Sequence, residues 1–162
     1  MTEPNERRRF VTGTIAGLAG GAFAAMSADT GQAAEVKMPT RVGLDPSEAP
    51  SADSGYTPGI MAQGNKIVFV SGQGPKDYDA DMETQMRQTF DRIEEVLKEA
   101  GAGWENVVIL RSYFVHMLRD LPAYRKVRKE YLKKPYPAST AVGTPELAIP
   151  GLEIEIEAVA VI

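Results

Sequence analysis

The sequence contains no cysteine and only one histidine, His116. Without cysteine the chain can form no disulfide, offers no thiolate nucleophile and holds no cysteine-based zinc site. A single histidine also excludes any cluster built from several histidines of one chain. We therefore expect neither a metal nor another cofactor.

Basic residues are also scarce. The formal net charge is −4, and after the N-terminal segment Lys and Arg cluster only over 125–134. Phosphate binding needs a basic surface, so this balance argues against a nucleic-acid partner. The length of 162 residues suits one domain, and 43% hydrophobic with 25% charged residues is typical of a soluble globular protein.

Residues 1–33 have the pattern of an export signal. Three arginines at 7–9 precede Phe10, which resembles the twin-arginine signal, and a weakly apolar Gly/Ala-rich segment follows to about residue 28. Small residues at 31 and 33 would allow cleavage before Ala34. We predict export to the periplasm or the outside of the cell, with no membrane attachment after cleavage. The alternative is an uncleaved amphiphilic tail.

Residues 34–55 predict a flexible linker or arm. They contain three prolines and several serines, and their apolar residues show no periodicity. The folded domain is therefore predicted to span 56–162.

Periodicity within 56–162 predicts the element order ββαβαββ. The predicted strands are 57–62, 66–71, 107–115, 138–142 and 153–162, and the predicted helices are 80–100 and 120–131. Asp79 or Asp81 can cap the first helix. Two helices can cover only one face of such a sheet. We expect an α+β domain whose other sheet face is buried by oligomerisation.

The last strand alternates apolar residues with Glu153, Glu155 and Glu157. One interpretation is an ordinary solvated face, because charged residues are mostly exposed. The other is that Glu155 faces a cleft and acts chemically there. Arg111 lies amid apolar residues of strand 107–115, and a pairing with one of these glutamates would satisfy both groups. The residues alone leave these alternatives open.

Four short motifs follow one another along the domain. They are Tyr-Thr-Pro-Gly-Ile at 56–60, Val-Ser-Gly-Gln-Gly-Pro at 70–75, Pro-Ala-Ser-Thr at 137–140 and Glu-Ile-Glu-Ile-Glu-Ala-Val-Ala-Val at 153–161. In order and spacing they resemble the Rid family, also called RidA or YjgF-like. The resemblance implies a chorismate-mutase-like fold, a mixed sheet with two helices on one face. It also implies a homotrimer with small-molecule clefts between subunits.

The resemblance also implies site residues. The best-known activity of the family is hydrolysis of reactive enamines and imines, with release of ammonia. Ser71 and Gly72 match residues of the family's cleft, and Glu155 matches the glutamate that positions or activates water. Tyr56 matches the aromatic residue at the cleft edge, although it lies two residues further from Ser71 than in typical members.

The chain departs from the family pattern at two positions. Family members that are deaminases have Pro-Ala-Arg-Ser, whose arginine grips the substrate carboxylate in a bidentate fork. Here Ser139 takes the arginine position and Thr140 follows it. Arg128 stands where the second helix often has an asparagine. The usual anchor of the substrate is therefore missing.

Three hypotheses follow. The first is an exported Rid-like protein that binds a small metabolite and lacks the usual deaminase activity. Its ligand cleft would be lined by Tyr56, Ser71, Gly72, Arg128, Ser139 and Thr140. The second is an imine or enamine hydrolase of altered substrate range, in which Glu155 is catalytic and Arg128 or Arg111 replaces the anchor. The third is a trimer that serves mainly protein–protein interaction.

Overall fold

The computed structural model describes residues 39–47 and 55–162, which belong to one compact unit. The strands are β1 (Thr40–Leu44), β2 (Gly59–Gln63), β3 (Ile67–Gln73), β4 (Val107–Phe114), β5 (Ala138–Gly143) and β6 (Ile154–Val161). The helices are α1 (Met82–Glu99) and α2 (Met117–Tyr131), and a short 3₁₀ turn at Trp104–Asn106 leads into β4. The predicted export signal and the residues 34–38 and 48–54 of the predicted linker lie outside the described residues.

Four strands form a mixed sheet in the order β3-β6-β4-β5. The pairs β3–β6 and β6–β4 are antiparallel, and β4–β5 is parallel. The chain reaches the parallel strand β5 through α2, as a parallel connection requires. The strands β1 and β2 form a separate antiparallel pair. The mixed sheet predicted from the resemblance is confirmed.

Both helices cover the same face of this sheet. In β6 the four alternate residues Ile154, Ile156, Ala158 and Ala160 are buried, and they join the core with Phe90 of α1 and others. The other core side chains of the helices include Met86, Ile93, Leu97, Tyr124 and Val127. Spacings of three and four give α1 one apolar stripe, which is why it packs flat on the strands.

The opposite sheet face, called the open face below, carries the other set of alternate residues. In β3, Ile67 is 62% exposed and Phe69 is 76% exposed. In β4 and β6 the open face carries Arg111, Tyr113, Glu155 and Glu157. No helix of the described residues covers it, which agrees with the expectation that two helices cover one face only.

Three details differ from the sequence-based expectations. A strand, β1, lies within the stretch predicted as linker or arm and pairs with β2. Helix α2 begins at Met117 rather than at Asp120, so Pro122 lies inside the helix. Strand β3 continues through Gly72 to Gln73 instead of ending at Ser71. Among the described residues no helix is both long and apolar enough to cross a membrane.

Candidate functional site

Glu155 lies against the backbone of Gly72. A Cβ atom built on Gly72 would stand only 1.8 Å from Oε1 of Glu155, far closer than atoms can approach. A side chain at position 72 would therefore displace the Glu155 carboxylate from this position. The two candidate residues that the sequence placed 83 positions apart are in contact.

A bulge in β3 shapes this contact. The register of β3 with β6 is regular up to Val70 and then shifts before Gln73, so that Ser71 and Gly72 form the irregular segment. Ser71 and Gly72 are both exposed, and Nε2 of Gln73 donates a hydrogen bond to the Ser71 carbonyl at 3.1 Å. Bulges redirect side chains at sheet edges. Here the bulge segment carries Gly72, which lies against the Glu155 carboxylate.

The three glutamates of the final stretch differ in their partners. Glu157 accepts a hydrogen bond of 2.6 Å from Nη1 of Arg111, and Glu153 is bonded by Arg119. The Nε2 atom of His116 also lies 3.5 Å from Glu153. Glu155 takes part in no ion pair with any described residue. The predicted pairing of Arg111 with a glutamate is confirmed, and it occupies Arg111 with Glu157.

Tyr113 is a neighbour of Glu155 that the sequence analysis did not single out. The two residues are directly opposite each other in the antiparallel pair β4–β6, and both lie on the open face. Cβ atoms of such pairs are about 4.5–5.5 Å apart. The alternation of β4 places Tyr113 beside Arg111, but only the register of β4 on β6 shows which glutamate faces it.

Arg128 is buried on the other side of the sheet. It belongs to α2, is 5% exposed, and its Cζ lies 4.9 Å from the centre of the Tyr124 ring. Tyr124 is itself fixed, because its hydroxyl shares a hydrogen bond of 2.7 Å with the Ser112 hydroxyl. The Nε and Nη2 atoms of Arg128 are buried and have no hydrogen-bond partner.

Tyr56 follows Gly55, which lies near the Arg128 side chain. A Cβ atom built on Gly55 would lie 3.7 Å from Cδ and 3.8 Å from Nε of Arg128. The φ angle of Gly55 is +92°, a backbone conformation that favours glycine. The amide of Thr57 donates to the carbonyl of Pro137 at 3.4 Å, which ties this segment to the start of β5.

Ser139 and Thr140 point to opposite faces of the sheet. Ser139 is level with the buried Leu110 in the parallel pair β4–β5, and Thr140 is level with Arg111. Ser139 is therefore on the helix-covered side, as Arg128 is, and Thr140 is on the open face.

The candidate residues thus form two groups within one chain. Gly72 and Glu155 meet at the bulge, next to Ser71 in sequence, whereas Arg128 and Ser139 lie on the helix-covered side of the sheet. Tyr56 belongs to the segment that is tied to the start of β5, and Thr140 lies on the open face. Strand β4 separates β6 from β5. One chain does not bring the two groups together. Three cavities along the described chain, of about 550, 570 and 510 Å³, contain neither group.

No metal site accompanies either group. Among residues 39–47 and 55–162, no three His, Asp or Glu side chains are clustered closely enough to hold a metal ion. The chemistry available is that of a carboxylate without an ion-pair partner among the described residues and, separately, that of a guanidinium whose Nε and Nη2 atoms lack acceptors.

Comparison with known proteins gives concordant matches. The family model described as Endoribonuclease L-PSP matches residues 46–162. The chain is 34% identical over 130 residues to protein mmf1, mitochondrial, of Schizosaccharomyces pombe, which covers 76% of this chain and 78% of the relative. It is 32% identical over 120 residues to a 2-iminobutanoate/2-iminopropanoate deaminase of Dermatophagoides farinae, covering 70% of this chain and 91% of the relative.

A solved structure agrees as well. The fold is similar to that of a conserved Rid-family protein, YyfB, from Yersinia pestis. The TM-score is 0.68 at 27% identity, over 75% of this chain and 98% of that one.

Proposed function

The chain belongs to the Rid (YjgF-like) family, and from this premise we propose that it binds a small metabolite in clefts that form between copies of the chain. The free carboxylate of Glu155, set against Gly72 and Ser71, is the observation that carries the proposal. A carboxylate without a cation can accept hydrogen bonds from an amine or imine nitrogen. We infer that the ligand presents such a nitrogen to Glu155.

A site between two copies follows from the two groups of residues. Ser71, Gly72 and Glu155 supply one wall, and Tyr56, Arg128 and Ser139 of a second copy supply the other. In a homotrimer with the open faces inward, each cleft would receive one wall from each of two neighbours. The exposed Ile67 and Phe69 on the open face support such an assembly.

Hydrolysis of imine carboxylates is expected to be slow in this member. Two relatives are named as 2-iminobutanoate/2-iminopropanoate deaminases, whose substrates carry a carboxylate. The position that resembles the family's carboxylate anchor is Ser139, and a serine hydroxyl offers one neutral donor instead of a charged fork. The protein would then bind small nitrogen-containing metabolites without turning over this substrate class.

The test is the rate of ammonia release from freshly generated 2-iminobutanoate. We expect the native protein to exceed the buffer rate only slightly. Ser139→Arg should raise the rate about ten- to a hundredfold, because a charged hydrogen bond to a carboxylate contributes about 1.5–3 kcal/mol. Ser139→Gln, of similar length but neutral, is the matched control and should not raise it. A native rate far above buffer would contradict the proposal.

Arg128 favours a second candidate function. Its guanidinium is unpaired and lies on the same side of the sheet as Ser139, so it could hold an anionic substrate in a hydrolase of altered range, with Glu155 directing water. Arg111 does not support this role equally, since its guanidinium is bonded to Glu157. A fast native reaction that is lost in Arg128→Gln would establish this candidate over the first.

The exported location also belongs to the proposal. It rests on the arginines at 7–9 and the weakly apolar segment that follows them. The expectation that nucleic acid is not a partner rests on the net charge of −4.

A further inference from the structure

The guanidinium of Arg128 has a free edge of defined geometry. Its Nε and Nη2 atoms, buried and without an acceptor, are the pair of nitrogens that lie on one side of a guanidinium. The same pair holds a carboxylate elsewhere in this protein. Arg119 donates from Nε and Nη2 to Asp120 at 2.6 and 2.9 Å, and Arg87 does so to Glu130 at 2.9 and 2.8 Å.

No described carboxylate near α2 is available to Arg128. Glu83 is held by Lys126, Glu130 by Arg87, and Asp120 by Arg119. Asp91 accepts a hydrogen bond from the Tyr131 hydroxyl at 2.8 Å. A buried cation without a partner is costly, and a buried charge normally has a counter-charge. The face of the Tyr124 ring offsets part of this cost, but it satisfies neither N–H group.

The surroundings hold the free edge in place. Tyr124 supports the plane of the guanidinium and is anchored by its hydrogen bond to Ser112. A Cβ atom added at Gly55 would lie 3.8 Å from Nε, so the chain at Gly55 passes near the guanidinium. Because both unpaired nitrogens are shielded from solvent, an anion can reach them only if the chain around them moves.

We propose that Arg128 is the residue that holds the anionic group of the ligand, a carboxylate or an oxyanion of the same shape. This inference rests on the proposed ligand cleft and assigns its specificity. The anchor comes from helix α2 and not from β5, so a bound carboxylate would lie in a different place relative to Glu155. That displacement explains how the protein can bind a carboxylate and still hydrolyse imine carboxylates slowly.

The test compares 2-oxobutanoate with its neutral amide, 2-oxobutanamide, by calorimetric titration of the full chain. Wild-type protein should bind the carboxylate about ten- to a hundredfold more tightly than the amide, the contribution of a charged fork. Arg128→Gln should abolish the preference, and Arg128→Lys, which keeps the charge without the fork, should retain part of it. Arg125→Gln, at an exposed arginine of the same helix, should leave the preference unchanged.

A second measurement observes the Arg128 side chain directly in the wild-type protein. With ¹⁵N-labelled arginine, the Nε–H signal of Arg128, identified by its loss in Arg128→Lys, should shift on addition of 2-oxobutanoate and not of the amide. Equal binding of both probes by wild type would overturn this inference alone. Binding of neither probe would also overturn this inference, whereas the proposed function, whose ligand presents a nitrogen to Glu155, is tested separately by the ammonia-release assay. A preference that survives in Arg128→Gln, with loss of oligomer instead, would assign Arg128 to contacts between copies and overturn the inference too.

Discussion

At the scale of single residues, Glu155 differs from Glu153 and Glu157 in its surroundings and not in its chemistry. All three come from the same run of sequence, yet the outer two are neutralised by arginines. A free surface carboxylate is unremarkable by itself. The contact with Gly72 is what distinguishes Glu155, because it fixes where the carboxylate can stand.

Gly72→Ala should therefore disable Glu155 without unfolding the protein. A Cβ at 1.8 Å from Oε1 must displace the carboxylate. We expect the affinity for a cationic probe, propylammonium, to fall about tenfold or more when its charged hydrogen bond is lost, as measured by NMR titration. Because Gly72 is exposed, the melting temperature should change little.

The matched control is Gly59→Ala in β2, where a Cβ would make an ordinary contact of 3.4 Å with Leu44. It should leave propylammonium binding as in wild type. Undiminished binding by Gly72→Ala would mean that Glu155 is not the acceptor of the ligand nitrogen.

At the scale of elements, the start of α1 shows which of two aspartates caps a helix. Asp81 is the N-cap residue. Its Oδ1 accepts from the Thr84 amide at 3.1 Å and its Oδ2 from the Thr84 hydroxyl at 2.6 Å. Asp79 does not make these bonds. Its amide instead donates to Asp77 at 3.0 Å. Since α1 carries much of the core against β3 and β6, the cap supports the sheet that holds the bulge.

Asp81→Ala should lower the melting temperature by about 2–4 °C at neutral pH, whereas Asp79→Ala should not. The hydrogen bonds from the side chain and amide of Thr84 lower the pKa of the Asp81 carboxyl in the folded protein. The cap's contribution is thus complete above the unfolded pKa, about 3.9, and is lost as pH falls through the lower folded value.

The difference in melting temperature between wild type and Asp81→Ala should accordingly shrink as the pH is lowered below about 4. Thermal unfolding followed by circular dichroism from pH 7 to 2 measures this difference. An effect of Asp79→Ala as large as that of Asp81→Ala would refute the assignment of the cap.

At the scale of the whole molecule, the open face is a sheet surface that no helix of the described residues covers. Its β3 edge is apolar, with Ile67 and Phe69 exposed, while Glu157 and Arg111 pair at its centre. Large exposed apolar patches mark interaction sites. In the proposed homotrimer this face would be buried.

Light scattering on the protein should give three times the subunit mass at micromolar concentration. Phe69→Glu should shift the mass towards that of a monomer, because a charge would be buried at the interface. Val96→Glu, at a partly exposed apolar residue of the outer helix α1, is the control and should keep the trimer. A stable wild-type monomer would remove the proposed clefts.

Export is the other property of the whole chain. Changing Arg7→Lys and Arg8→Lys together should retain the precursor in the cytoplasm, since the twin-arginine pathway reads that pair. Cell fractionation with immunoblotting distinguishes the precursor from a mature form that begins near Ala34. Appearance of the mature form outside the cytoplasm despite both changes would show that another route is used.

The sequence by itself determined the elements of the described domain and their order. The alternation of Ile154, Ile156, Ala158 and Ala160 identifies β6 and its buried face, and the stripe of α1 identifies the helix. Such periodic patterns predict the elements correctly because burial of one face contributes most to the stability of a helix or strand. Strand β1 was not predicted, because its apolar residues Val42 and Leu44 are half exposed and its strand conformation depends on pairing with β2.

Only the tertiary structure decided which side chains meet. The partners that occupy Glu157 and Glu153 are 46 and 34 residues away in sequence, so nothing local could show that Glu155 is the free one. Likewise Ser139 and Thr140 took opposite faces through the register of β5 on β4. The free edge of Arg128 is a consequence of packing against Tyr124 and Gly55. Local patterns fix the period of an element, but register and packing fix its neighbours.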